Sequence, residues 1–174
     1  MKKIFIGLLS IFLSLSSLSM SMACEIFKEP IGTSLSSIID KYDNLDEPPE
    51  NNAEIYTYHK MYPSWLFCEN PYLKETYVEI YIREGKIIAT KISGMPGEAK
   101  ENKILDFAKT YLGYTTDQSF NDKWTGAIEM SSITTKVIYG RENNIKGIQE
   151  VLIISNLKFF DLMVTELYLS LIHI

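Results

Sequence analysis

Residues 77–92, YVEIYIREGKIIATKI, decide the fold class. Val78, Ile80 and Ile82 alternate with Tyr77, Glu79 and Tyr81, the period-2 pattern of a strand with one buried face. Arg83-Glu84-Gly85-Lys86 follows, with Gly85 placed to take the positive φ of a short hairpin turn. From Ile87 to Ile92 a β-branched run resumes. The stretch predicts an antiparallel β-hairpin, and with it a small mixed domain.

Upstream, Gly32-Thr33-Ser34 offers a cap for a helix running to about Tyr42, with Leu35, Ile38, Ile39 and Tyr42 on one apolar face. That helix is short and needs a sheet to pack on. Residues 43–52, DNLDEPPENN, form a polar loop, and Pro48 and Pro49 exclude regular structure there. Residues 53–60, AEIYTYHK, predict a strand.

Downstream of the hairpin, Ser93-Gly94-Met95-Pro96-Gly97 is a break. A second helix is expected over residues 98–112. Glu98 and Glu101 sit in its first turn, Ile104, Leu105, Ala108, Tyr111 and Leu112 along its stripe, and Gly113 at its stop. Residues 124–130 form a short strand. Residues 133–139 and 148–155 pair as strands across a turn-rich connection, 140–147, that contains Asn143-Asn144. Residues 157–168 are amphipathic and fit a third helix or a further strand. The fold class is α+β: an antiparallel sheet of β-hairpins with short helices on one face. The order suggests two α-β-β halves, 31–92 and 98–155, within one domain over residues 24–168.

Both ends of the 174-residue chain carry processing signals rather than fold. Residues 1–23 read as a secretory signal peptide: Lys2 and Lys3, an apolar stretch over 4–18, then Ser21-Met22-Ala23 before the cut. A membrane anchor is the competing reading, but the apolar run is short and broken by serines. At the other end, residues 169–174, LSLIHI, match a translated transposase sequencing adapter, which places the end of the natural frame near Tyr168; a natural apolar tail is the alternative.

The whole chain has 17 basic and 22 acidic residues, a net charge of −5. Without the signal it is two lysines poorer, at −7. That balance argues against non-specific nucleic-acid binding, which needs a basic patch. The two cysteines, Cys24 and Cys68, predict a disulfide in an oxidising compartment. The rival is lipidation, since Ser21-Met22-Ala23-Cys24 looks like a lipobox that lacks its leucine. Localisation follows from that choice: periplasmic or secreted with the disulfide, lipid-anchored in the envelope without it.

Residues 61–73, MYPSWLFCENPYL, crowd aromatics between two prolines and beside Cys68. Such a loop serves as a recognition surface for a protein or peptide, with Tyr58, Tyr62 and Trp65 as the contact candidates. Alternatively Trp65 and Phe67 cover an open end of the core. Catalytic signatures are missing: no G-x-S-x-G, P-loop, GxGxxG, CxxC or HExxH occurs. His59 is the sole histidine before the tail, so a hydrolase would need it as base. Two cysteines and one histidine are too few for a zinc site, and no cofactor motif is present.

Gly32-Thr33-Ser34 opening a short helix, the tyrosine-rich strand with Tyr56 and Tyr58, and the run from Val78 to Ile92 resemble the small periplasmic α+β modules of the SmpA/OmlA outer-membrane assembly lipoprotein group. The tandem layout also resembles β-lactamase-inhibitor-like proteins. The resemblance implies an accessory or inhibitory binding protein of the bacterial envelope, and no functional residue is carried over from it.

Overall fold

The computed structural model describes residues 24–42, 45, 58–95, 97, 102–121, 123–130 and 135–157. The signal peptide, the tail over 169–174, the start of the strand expected at 53–57, Glu98, Glu101 and the segment 158–168 lie outside the described residues.

Six strands form one antiparallel sheet: β1 (Tyr58–Pro63), β2 (Thr76–Arg83), β3 (Lys86–Gly94), β4 (Gly126–Met130), β5 (Thr135–Asn144) and β6 (Gly147–Asn156). Helix α1 (Leu35–Lys41) precedes the first three strands and α2 (Lys103–Thr110) the second three. The strand order is β1-β2-β3-β6-β5-β4. Two α-β-β-β runs therefore meet at the middle of the sheet, where β3 and β6 pair antiparallel from Ala89↔Ser155 to Ser93↔Val151. The fold is α+β, and the sheet is open rather than closed into a barrel.

The hairpin forms as its pattern dictates. The β2–β3 ladder closes at Arg83↔Lys86 around a two-residue turn, and both turn residues have positive φ, 52° at Glu84 and 68° at Gly85. That conformation twists in the same sense as the flanking strands. Val78, Ile80, Ile82 and Ile92 line the inner face and are almost completely buried. The bulge near Tyr81 and Ile82 shifts the register by one residue and carries Ile88 to the outer face beside Tyr81 and Ala89.

Helix α1 is only seven residues long, and backbone bonds hold it to this hairpin. Gly32 N–H donates to Ile87 O (2.6 Å), Ile87 N–H to Thr33 O (2.9 Å), and Leu35 N–H to Gly85 O (2.8 Å). Its buried Leu35 and Ile38 join the same core as Ile104, Leu105, Phe107 and Ala108 of α2, on the inner face of the sheet.

The second hairpin departs from expectation. Residues 140–147 read as a connection because Asn143-Asn144 favour turns. Instead β5 and β6 zip through them, pairing Arg141↔Glu150, Glu142↔Gln149, Asn143↔Ile148 and Asn144↔Gly147. Only Ile145 and Lys146 remain for the turn. Continuous ladder bonding over ten residues on each strand outweighs the local preference of two asparagines.

Candidate functional site

The aromatic stretch 61–73 folds as the end of β1 followed by two 3₁₀ turns, Ser64–Leu66 and Pro71–Leu73. Prolines at 63 and 71 are suited to this, because each fixes φ and removes a donor that a turn start does not need. Asn70 caps the second turn by accepting from Tyr72 N–H at 2.9 Å. Thr76 Oγ1 donates to Leu73 O at 2.9 Å and lies 2.6 Å from Ser64 Oγ, inside a fully buried contact. A Cys24–Cys68 disulfide, with Cα atoms 4.5 Å apart, ties the N-terminal segment to the same loop. The turn Glu25–Lys28 then buries Ile26 and Phe27, and Phe27 meets Phe107 of α2 edge-on at 5.5 Å.

This scaffold separates the three aromatic candidates. Tyr62 pairs with Val78 in the ladder, is 9% exposed and packs edge-on against Phe67 at 5.5 Å. Phe67 is 4% exposed, so the two rings close the end of the core. Trp65 is 60% exposed. The turn that buries Ser64 and Phe67 on either side directs Trp65 outward. Tyr58 pairs with Ile82, and its side chain lies outside the described ones, as does that of His59, which pairs with Tyr81.

Beside the stapled loop is a cleft of about 230 Å³. Its walls come from the turn at Pro71 and Tyr72, from Thr76, from Met95 after β3, and from the start of α2. Tyr111, 44% exposed, meets Tyr72 edge-on at 6.4 Å and stacks on Phe107 at 5.6 Å. Thus Met95, an exposed large apolar side chain, lines the cleft, Tyr111 packs against its lining residue Tyr72, and Ser64, the neighbour of Trp65, bonds to its wall at Thr76.

Glu150 forms the floor and is 4% exposed. The α2 N-terminus points at its carboxylate: Ile104 N–H donates to Oε2 at 3.2 Å and Leu105 N–H to Oε1 at 3.5 Å. Tyr139 donates its hydroxyl to Oε1 at 2.8 Å. The Tyr139 ring is stacked on Trp124 at 6.2 Å and packs against Phe120 at 5.8 Å. Arg141, 1% exposed, pairs with Glu150 across the ladder and donates from Nη1 to Asn121 O at 2.9 Å. Burial pushes the Glu150 carboxyl above the usual carboxylate range, opposed by the Tyr139 and backbone hydrogen bonds. Burial and the adjacent Glu150 likewise raise the Tyr139 phenol.

A buried carboxyl with a raised pKa beside a cleft is a pattern that catalytic acids share. Here the group has a structural task. Asn102, at the N-cap position of α2, makes no side-chain cap bond. Glu150 supplies the acceptor instead, from a strand, and so ties α2 to the centre of the sheet. Sequence reading did not single out Glu150, although a signal existed: in IQEVLIIS it shares the inward side with Leu152 and Ile154. Among the described residues no group of three His, Cys, Asp or Glu side chains is placed to hold a metal ion. No described helix is long and apolar enough to cross a membrane. No family model, curated protein or solved structure matches this chain.

Proposed function

We propose that this chain is a non-catalytic binding module of the bacterial envelope, periplasmic or secreted, that takes a protein or peptide partner at the cleft between the stapled loop and α2. Trp65, on the stapled loop, is the anchor, with Tyr72 in the cleft wall and Tyr111 packed against Tyr72. The observation that carries this reading is the exposure of Trp65, 60%, on a turn whose neighbours Ser64 and Phe67 are buried. An exposed indole on a rigid turn offers large contact area at low entropic cost, which is what binding hot spots use. The Cys24–Cys68 bond supports the unanchored form, because lipid attachment would consume the Cys24 sulfur.

The test compares Trp65→Ala with the unsubstituted chain in affinity chromatography of the secreted or periplasmic proteins of the producing cell. The expected result is an unfolding midpoint close to that of the unsubstituted chain and loss of a specifically retained partner. A large loss of stability with no change in retained proteins would make Trp65 a packing residue and remove the proposal.

A further inference from the structure

The disulfide, the turns beside it and α2 close into a ring. Cys68 links the two 3₁₀ turns of the stapled loop: its N–H donates to Ser64 O at 3.0 Å, and its carbonyl accepts from Asn70 N–H at 2.9 Å. Tyr72, in the second turn, is part of the cleft wall and meets Tyr111 edge-on at 6.4 Å. Tyr111 stacks on Phe107 at 5.6 Å, and Phe107 meets Phe27 at 5.5 Å. Phe27 lies on the same short arm as Cys24, whose sulfur returns the path to Cys68. The arm, residues 24–28, depends on that sulfur bridge. Its backbone bonds to described residues stay local: Phe27 N–H donates to Cys24 O at 3.3 Å, and Glu29 N–H to Ile26 O at 3.4 Å. Beyond the arm the chain is fastened again, by Glu29 to Lys41 and Tyr42 and by Gly32 and Thr33 to Ile87. The six-stranded sheet takes no residue from the arm.

We propose that the Cys24–Cys68 bond is a redox latch on the cleft: reduction by a dithiol releases the arm, loosens the contact of Tyr111 with Tyr72 in the cleft wall, and leaves the sheet folded. The inference rests on the binding reading above only in taking that cleft as the partner's site. Cys24 is half-buried at the start of the arm, whereas Cys68 is 2% exposed, so the Cys24 sulfur is the one that a thiolate reaches. The thiolate attacks Cys24 Sγ, the S–S bond breaks, and Cys68 leaves as a thiolate that takes up a proton. The second thiolate of the reductant then attacks its own sulfur in the mixed disulfide and expels Cys24. Two protein thiols result and the dithiol becomes a disulfide, a balanced two-electron exchange. Ile26 and Phe27 then stay in place by packing alone, and segments with few fastening bonds are the ones that open locally. Once Phe27 leaves Phe107, the stack of Phe107 and Tyr111 loses its support on the far side from Tyr72. The cleft wall is then no longer preorganised, and ordering it on binding opposes affinity.

The test is NMR of the folded, disulfide-bonded chain labelled at phenylalanine and tyrosine, before and after treatment with dithiothreitol. The expected result is loss of the ring cross-peaks Phe27–Phe107 and Tyr72–Tyr111 on reduction, retention of Phe120–Tyr139, and recovery of the lost pair on reoxidation. Neither set of peaks needs a partner, so failure here is distinct from failure of the binding reading, which Trp65→Ala decides. Retention of both ring pairs with Cys24 and Cys68 reduced would make the bond a passive staple and overturn the proposal. Loss of Phe120–Tyr139 would overturn it as well, since the whole fold would then depend on the bond. As a second readout, Phe27→Ala in the oxidised chain removes the Tyr72–Tyr111 cross-peaks with the disulfide intact, and their survival would break the ring and count against the latch.

Discussion

Removing the Glu150 carboxylate tests whether α2 is held to the sheet as described. Glu150→Ala strips the acceptor from Tyr139 Oη and from the N–H groups of Ile104 and Leu105. Each buried donor left unsatisfied costs about 1–3 kcal/mol. The Leu105 contact, at 3.5 Å, is long and contributes little. The two shorter bonds and the vacated side-chain volume then give a loss of about 3–5 kcal/mol. Glu150→Gln keeps the shape but only one of the two acceptor oxygens, so either Ile104 N–H or Tyr139 Oη loses its partner, a loss of about 1–3 kcal/mol. Tyr139→Phe combined with Glu150→Gln loses less than the sum, because the two share one bond. The pH dependence has a definite sign. The folded state holds the Glu150 proton more tightly than the unfolded chain does. This group's contribution is therefore full below the ordinary carboxylate pKa and is lost as pH rises through the elevated folded value. Glu150→Gln removes that slope. Urea denaturation across acidic to neutral pH reads both effects. A Glu150→Ala protein within about 1 kcal/mol of the unsubstituted chain would refute the reasoning, since so small a loss means that the donors find water or the carboxylate was never their acceptor.

Reducing the disulfide frees a loop of 44 residues, for which chain entropy gives about 4 kcal/mol of destabilisation. Denaturation with and without reductant checks this, and a difference below about 1 kcal/mol would contradict it. Tyr62→Ala lowers stability by about 3 kcal/mol, because its ring is buried against Phe67, whereas Trp65→Ala stays within about 1 kcal/mol. Comparable losses would erase the distinction between the two positions. Gly147 has φ +119°, and a Cβ there would sit 2.8 Å from Gly97 Cα. Gly147→Ala therefore costs more than about 1 kcal/mol, measured as a fall in thermal midpoint, while no change would mean that residue 97 yields freely.

Alternation carried most of what the sequence could say. The inward and outward sides of residues 77–82 are as their pattern implies, and the bulge that diverts Ile88 is the one feature of that hairpin without a local signature. Helix α1 was legible from its apolar stripe, although Ser34 at its N-cap makes no side-chain cap bond. The pairing of Cys24 with Cys68 followed from an even count. The second hairpin was misjudged at Asn143-Asn144, because turn preference is local whereas ladder extension depends on a partner strand. The aromatic stretch was the least legible. Tyr62 is inward because β1 runs as far as Pro63 and pairs with β2, and Trp65 is outward because a 3₁₀ turn starts at Ser64. Neither fact is written in residues 61–73 alone. Glu150 was readable in principle, as an acid on the apolar side of a strand, but the α2 end that it caps lies 45 or 46 residues away in sequence.

The most direct test of the binding account is a photo-crosslinking amino acid placed at Trp65 and, as a control, at Ile145, the fully exposed turn residue of the β5–β6 hairpin. The account predicts a discrete protein or peptide adduct from position 65 in the producing cells and none from position 145. Identical adduct patterns, or no adduct at position 65 while the protein remains folded, would contradict it.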